Sequence, residues 1–351
     1  MTTRIALLVS ACLLVSACRD DAPQPAEPDA PVSQPLDTVS HAFTWEYDTV
    51  GIQYSNIQGV AAVSENDVWV SGRFYDFVEM TDPNKMPVGN AAHWNGEEWT
   101  YHGFNALGLE SWYHLDDAAA FGPDNVWICG GSPFRWDGAQ WKNYMYKGFY
   151  FHSGINEIWS SADQQHVCVV GMRNSCARYS PADDTFLWVD MPYPGNLYDV
   201  TGTEDGTMYI ASGNPDNGAG FVYRLSTTGT VDIHYISGIG QVHHVWLIDD
   251  TTYLVSHNSI YKKVDRLYQD VELIASAEHS FSDVVVAAPN NIFAVTWFNY
   301  FLHYNGSTWE EVLFDYPKLV SVHDVSVTGR HVYIVGFTPE QYCLVIHGTR
   351  H

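Results

Sequence analysis

Histidine and aromatic side chains that could bind a ligand recur at, or just before, short stretches with β-strand character. An imidazole can exchange a proton or bind a metal ion near neutral pH, and an exposed aromatic ring offers a large contact area. These side chains could converge on a pocket for a small molecule, a sugar or a metal ion, or each imidazole could donate locally and serve packing. The candidate binding residues are Trp112, Tyr113, His114, Tyr150, His152, Tyr193, His243, His279, Trp297, Tyr300 and His323.

Motifs for catalysis and metal binding are sparse. The histidines show neither a regular ligand spacing nor an H-E-x-x-H pattern, so the sequence predicts no metal site. It contains no G-x-S-x-G motif, P-loop or strand-linked G-x-G-x-x-G, so it indicates no catalytic residue and leaves any cofactor unknown. A catalytic acid is needed once or twice, so a recurring aspartate favours a structural role, as an acceptor for loop N–H groups. Such aspartates are Asp116, Asp117, Asp199, Asp283 and Asp324.

A repeated strand places these residues along the chain. The repeats follow one another at about 40 residues, except for a longer step from Trp69 to Trp127 that contains an insertion between residues 74 and 92. A period of this length built only from short strands predicts an all-β, seven-bladed β-propeller of four-stranded antiparallel blades. Six blades with irregular ends are the alternative. The second residue of each copy is Trp69, Trp127, Cys168, Tyr209, Tyr253, Phe293 or Tyr333.

The seventh repeat has three strand signals and then reaches the end of the chain. The missing outer strand is predicted at the N-terminus, because Phe43-Thr44-Trp45-Glu46 matches Ser307-Thr308-Trp309-Glu310 of blade 6. This strand would close the ring and remove an open sheet edge. We expect Trp45 to lie beside the third strand of the last blade, near Cys343 and Val345.

Strand direction predicts two different faces. The loops between second and third strands and the links between blades share a loop-rich face, which carries the candidate binding residues. The opposite turn face carries tight turns such as Asn95-Gly96, Asp137-Gly138 and Asn305-Gly306. These dipeptides are typical of type I′ turns, in which both central residues have positive φ.

The N-terminus has the features of an export signal. A basic start and an apolar run from Ile5 to Val15 precede Val15-Ser16-Ala17-Cys18, which resembles the bacterial lipobox. The resemblance implies a lipoprotein signal peptide at residues 1–17 and a lipid on Cys18. An ordinary secretory signal is the alternative. Residues 18–40, rich in Asp, Ala and Pro, are predicted to be a disordered tether, and residues 41–351 to be the propeller.

The other cysteines fall within predicted strands. Cys168 and Cys176 flank a hairpin in blade 3, and positions across a hairpin can be close enough for a disulfide. Export to an oxidising compartment favours that bond. Cys129 and Cys343 belong to blades that are not neighbours and are predicted to be buried.

Charge excludes two classes of partner. The chain has 41 acidic and 16 basic residues and a net charge of −25, which argues against binding nucleic acid or an anionic membrane surface. The excess acidity favours solubility over a specific acidic patch.

Altogether the chain resembles a bacterial membrane-anchored propeller lipoprotein. Its N/D-G-x-x-W hairpins differ from the sialidase Asp-box, and most blades lack the paired glycines of Kelch repeats. The resemblance implies a monomeric, non-enzymatic binding or scaffold module at the periplasmic or outer surface of the cell envelope, with a protein or carbohydrate ligand on the loop-rich face. A hydrolase or lyase with a His/carboxylate site at the channel mouth is the alternative.

Overall fold

Short antiparallel strands joined by turns build seven four-stranded sheets, and these sheets are the blades of a seven-bladed β-propeller. The structure is a computed structural model. It describes residues 38–75, 88–103, 115–144, 154–193, 195–214, 216–248, 251–263, 270–314, 321–338, 340 and 342–351. Residues Asp37–His351 form one compact unit. No helix in these ranges combines the length and apolar character needed to cross a bilayer.

Each blade runs from an innermost strand to an outermost strand. The first strand of the chain, β1 (Phe43–Val50), belongs to the last blade. Blade 1 contains β2 (Asn56–Ser64), β3 (Asp67–Phe74), β4 (Gly89–Trp94) and β5 (Trp99–His102). Blade 2 contains β6 (Asp117–Ala120), β7 (Val126–Cys129), β8 (Pro133–Trp136) and β9 (Trp141–Asn143). Blade 3 contains β10 (Ile155–Ser160), β11 (Val167–Gly171), β12 (Ser175–Ser180) and β13 (Thr185–Trp188). Blade 4 contains β14 (Asn196–Gly202), β15 (Met208–Gly213), β16 (Gly220–Leu225) and β17 (Val231–Ile236). Blade 5 contains β18 (His244–Ile248), β19 (Thr251–Ser256), β20 (Ser259–Lys263) and β21 (Val271–Ser276). Blade 6 contains β22 (Phe281–Ala288), β23 (Asn291–Thr296), β24 (Tyr300–Tyr304) and β25 (Trp309–Leu313). Blade 7 contains β26 (Ser321–Thr328), β27 (His331–Phe337) and β28 (Cys343–Arg350).

The N-terminal strand closes the ring, as the sequence predicted. The sheet order of the last blade is β1-β28-β27-β26, with β1 antiparallel to β28. The register differs in detail from the prediction, because Trp45 lies opposite Gly348, whereas Val50 lies opposite Cys343 and Asp48 opposite Val345. Trp45 needs the space that glycine leaves, since a Cβ on Gly348 would collide with the indole ring.

The hydrophobic core is divided among the spaces between blades. Seven clusters of buried residues lie between successive neighbours around the ring. Trp69 and Trp127, on the second strands of blades 1 and 2, are almost fully buried in two of them. The repeated aromatic residue of the sequence therefore packs blade against blade, so the ring is stabilised mainly by burial of apolar surface.

The hairpin turns on the turn face are not type I′, which corrects the sequence-based prediction. Four residues connect β4 to β5, and among the first pair only Gly96 has a positive φ, at 94°. Asn95 instead accepts hydrogen bonds at Oδ1 from the N–H groups of Glu97 and Glu98, both at 2.9 Å. Asp137 and Asn305 make the same two contacts in their own turns. The side chain of the Asn or Asp thus replaces a backbone acceptor, which explains the residue type without a second positive φ.

Candidate functional site

A β-bulge near the start of the innermost strand turns one side chain of a blade into the central channel. In β10, β14, β22 and β26, one residue is left unpaired with the second strand of the blade, and the residue after it resumes the pairing. Bulges re-aim a side chain in this way, and they occur often beside functional sites. The residues that follow the bulge are Glu157, Asp199, Asp283 and Asp324.

Register identifies the equivalent residue in every blade, because each lies opposite the same position of its second strand. Blade 1 has Gly59 at this position. In the other six blades the side chain lines a cavity of about 690 Å³ along the propeller axis. We call these six residues the channel ring. They are Asp117, Glu157, Asp199, His244, Asp283 and Asp324.

Three carboxylates of the channel ring tie neighbouring blades together. The N–H of Val245 donates to Asp199 Oδ2 at 2.7 Å, and the N–H of Val325 donates to Asp283 Oδ2 at 3.2 Å. Asp324 Oδ2 accepts the N–H of Val60 at 2.6 Å. Three of the recurring aspartates therefore accept backbone N–H groups, as predicted, although the donors belong to the innermost strand of the next blade and not to loops. Asp283 and Asp324 also accept the N–H of the residue that follows them in their own strands.

Asp117 departs from this pattern. Its Oδ1 accepts the N–H of Ala118 at 2.7 Å, but no donor in the described part of the chain reaches its Oδ2, which is buried. The equivalent donor in the next blade is the N–H of Ile158, and that group bonds to Glu157 Oε1 at 3.2 Å. Aspartates make the same contact in their own strands, since the N–H of Val325 donates to Asp324 Oδ1 and also to Asp283 Oδ2 across the blade interface. Among the described residues, the N–H of Ile158 makes only the contact with Glu157, so Asp117 Oδ2 has no backbone donor.

Burial and mutual repulsion raise the pKa values of four carboxyl groups in the channel ring. Burial raises the pKa of Asp117 to about 7, and Asp199 and Asp283 add to this by repulsion. Burial also raises the pKa of Asp199 to about 6 and holds the pKa values of Glu157 and Asp324 well above their usual range.

His244 is the basic member of the channel ring. Its Nδ1 lies 3.5 Å from Asp283 Oδ1 and 3.8 Å from Asp199 Oδ2. When protonated, this imidazole lowers the pKa of Asp199 and partly offsets the effect of burial. The described residues contain no group of three or more His, Cys, Asp or Glu side chains arranged to hold a metal ion.

The predicted histidines on the loop-rich face pack against aromatic rings instead of lining the channel. His243 stacks on Tyr198 with ring centres 4.8 Å apart, and His279 stacks on Tyr300 at 5.3 Å. His323 meets Trp297 edge-on at 5.5 Å. Burial lowers the pKa values of His243 and His323 to about 4, so both are neutral at pH 7.

The structure brings some predicted site residues together and separates others. It pairs Trp297 with His323 and Tyr300 with His279, but Tyr193 lies apart in blade 4, stacked on Phe221 at 5.9 Å. The remaining candidates lie outside the described residues; they are Trp112, Tyr113, His114, Tyr150 and His152.

Both cysteines of the predicted disulfide are buried in blade 3. Cys168 lies opposite Arg178 and Cys176 opposite Val170, so the two cysteines are diagonal neighbours. Their Sγ atoms are 3.8 Å apart as free thiols. The bond between them stays a prediction, as does the lipid on Cys18, which lies outside the described residues. Cys129 and Cys343 are buried, as expected.

Sequence reasoning missed the two ring residues that differ from aspartate. Glu157 and His244 occupy the position that Asp199, Asp283 and Asp324 hold in their blades. Spacing in the sequence could have identified them. Glu157 and His244 precede the second-strand core residue of their repeats by nearly the same number of residues as the aspartates do.

Comparisons with known proteins place the chain by its fold. No protein-family model matches it, and no curated protein matches it. Among solved structures, virginiamycin B lyase from Staphylococcus aureus is similar with a TM-score of 0.67 at 13% identity, covering 88% of this chain and 100% of the lyase. YCF48 bound to D1 peptide gives 0.64 at 14% identity, covering 90% and 100%. The WD40 propeller domain of Doa1 gives 0.62 at 12% identity, covering 88% and 98%. These likenesses show the fold alone.

Proposed function

We propose that this protein is a non-enzymatic binding module that holds a segment of a partner protein on the loop-rich face of its propeller. The observation that carries the proposal is the exposure of large aromatic side chains there. Trp297 is 47% exposed, Phe298 59% and Tyr193 52%. Aromatic side chains supply large contact areas at a small entropic cost, which is why they dominate binding hot spots.

The arrangement of these rings suits a peptide segment. Trp297 and Phe298 lie in the loop between β23 and β24, and Tyr193 lies on the link into blade 4, so they occupy different sectors of one face. An extended segment could contact both sectors across the channel mouth. The solved structure of YCF48 bound to D1 peptide offers a precedent for a protein of this fold with a bound peptide.

We further propose that the module is a monomeric lipoprotein of the bacterial cell envelope. The support is the lipobox at residues 15–18 and the Pro- and Asp-rich segment that follows it. A tether of this composition would let the propeller reach partners at a distance from the membrane surface.

The proposal is tested by capturing partners from detergent-solubilised envelope with the purified full chain. Trp297→Ala and Tyr193→Ala should each weaken binding of the captured protein by about 1–3 kcal/mol while leaving the melting temperature nearly unchanged. Tyr47→Ala, on the outer strand β1 and 39% exposed, is the matched control and should bind normally. Asn305→Ala, on the turn face, should lower stability and leave binding intact.

Other results would decide against this function. If Asn305→Ala alone abolished capture in a folded protein, the working surface would be the turn face. If the captured material were polysaccharide and not protein, the ligand class would be wrong.

A second candidate, an enzyme, rests on the contacts of His244 with two carboxylates in the channel. A histidine between carboxylates can act as a general acid or base. Virginiamycin B is the first substrate to try, because a lyase of this name has the same fold. Turnover that His244→Ala abolishes would favour the enzyme over the binding module.

A further inference from the structure

We propose that Asp117 Oδ2 and the Glu157 carboxylate form a binding site for an ammonium or guanidinium group, which a lysine or arginine side chain of the bound protein segment inserts into the channel. The inference rests on the proposed function and adds the chemistry by which the segment is recognised.

The unsatisfied oxygen of Asp117 is the first argument. Its residue is only 9% exposed, it lines the channel, and Oδ2 has no donor in the described part of the chain. A buried acceptor without a partner costs about 1–3 kcal/mol and more when it is charged. A cationic donor from outside would remove that cost, and charge-assisted hydrogen bonds are roughly twice as strong as neutral ones.

The charge of the channel is the second argument. Five carboxyl groups and one imidazole surround the cavity, and none of the described residues that line it is Lys or Arg. Once these carboxyl groups lose their protons, their fields add inside a channel with low-dielectric walls, so a cation is attracted there more strongly than on an open surface. The cavity of about 690 Å³ is large enough to admit a long basic side chain.

Asp117 and Glu157 lie at the end of the channel that opens on the loop-rich face. Asp117 is the first residue of β6, and Glu157 lies near the start of β10. The innermost strands begin at the loop-rich face, where Trp297 and Tyr193 are exposed. A segment bound across those aromatic rings therefore passes the end of the channel where the unsatisfied oxygen lies.

An organic cation fits this site better than a metal ion. Calcium takes six to eight oxygen ligands and magnesium six. The other ring carboxylates already accept backbone N–H groups from neighbouring blades, and the described residues contain no metal-binding group of three. Two carboxylates suffice for a guanidinium, which can donate to both at once.

Proton release should accompany binding. The groups that act on Asp117 are Glu157, Asp199 and Asp283, and the Cys129 thiol lies across the strand from it. Because burial and the repulsion from Asp283 and Asp199 raise the pKa of Asp117 to about 7, the free site holds a proton that a bound cation displaces. Affinity for the cation should therefore rise as the pH increases from 5 to 8.

The test uses the full chain and small probes that do not depend on any partner. N-butylguanidinium and n-butylammonium are titrated at pH 8 by ligand-observed NMR, with the neutral isostere N-butylurea and with Ca²⁺ as comparisons. We expect both organic cations to bind and N-butylurea not to bind. Asp117→Asn and Glu157→Gln should each weaken cation binding by about tenfold or more. Glu311→Gln, on the outer strand β25, makes the same charge change and should alter the affinity by less than about twofold.

Calorimetry in buffers of different ionisation enthalpy should show proton release on binding at pH 6.5, and Asp117→Asn should reduce it. Equal binding of N-butylurea, binding of Ca²⁺ alone, or unchanged cation affinity in Asp117→Asn would each overturn the proposal. If the probes bind but Trp297→Ala leaves partner capture unaffected, the proposed function is refuted and this site is not. Loss of capture in Trp297→Ala without any probe binding would refute the site alone.

Discussion

The N–H of Val60 donates a 2.6 Å hydrogen bond to the Asp324 carboxylate and thereby joins the first blade to the last near the propeller axis. The two residues are 264 positions apart in the chain. At the rim, β1 joins the same two regions by pairing with β28. The ring is therefore closed twice, once by a polar contact at the centre and once by a strand at the edge.

Trp45→Ala should destabilise the propeller by about 2–4 kcal/mol, because the indole packs edge-on against Phe301 at 5.1 Å and Phe314 at 5.0 Å in the space between the last two blades. Urea denaturation followed by fluorescence measures the change. Trp188→Ala, 56% exposed, is the matched control and should cost about 0.5 kcal/mol or less.

Gly348→Ala should also destabilise the protein, since the added methyl group would collide with the Trp45 ring. In the double variant Trp45→Ala/Gly348→Ala that collision is removed. The stability lost in the double variant should therefore be smaller than the sum of the losses in the two single variants. Strict additivity would show that the ring does not rest on Gly348.

Asp117→Asn should change how stability depends on pH. The folded protein raises the pKa of Asp117 to about 7, whereas an unfolded aspartate titrates near 3.9. Between these values the folded state retains a proton that the unfolded state has released, so the free energy of unfolding falls as the pH rises, by up to about 1.4 kcal/mol per pH unit.

The variant lacks this titration, so its stability relative to the unaltered protein should increase steadily from pH 4 to pH 7 and then level off. Denaturation curves for both proteins at half-unit steps measure the difference. The neutral histidines His243 and His323 destabilise both proteins alike in acid, so their effect cancels in the comparison. Parallel curves over this window would show that Asp117 titrates normally.

A disulfide between Cys168 and Cys176 should form if the chain is exported as we propose, because the two Sγ atoms are already 3.8 Å apart. Thiol counting under denaturing conditions, with Cys18 blocked, should find two free thiols, those of Cys129 and Cys343. The bond closes a short loop, and its reduction should cost about 2–3 kcal/mol. A count of four would rule out the bridge.

Cys18→Ser should release the protein from the membrane fraction, since the lipobox predicts that this thiol carries the anchor. Fractionation followed by immunoblotting measures the distribution. Cys12→Ser is the control, and it should remain with the membrane. An unchanged distribution for Cys18→Ser would mean that another feature holds the protein there.

Local patterns in the sequence were sufficient to predict the architecture. Strand alternation, polar turns and a recurring core residue act over a few residues each, so the number of blades and the closing strand could be inferred before any contact was known. The match between Trp45 and Trp309 predicted the correct strand for β1 because both are outer-strand residues that pack on a neighbouring blade. The turn type was predicted wrongly, since Asn95 supplies a side-chain acceptor and does not need a positive φ.

Only the tertiary structure decided what occupies the channel. The ring residues come from six blades, and bulges direct four of them inward, a feature with no distinct local signal in the sequence. The sequence determined that acidic residues recur at these positions. Whether each is satisfied depends on its neighbour across the blade interface. The N–H of Val325 reaches Asp283 Oδ2, whereas the N–H of Ile158 bonds to Glu157 and does not reach Asp117 Oδ2.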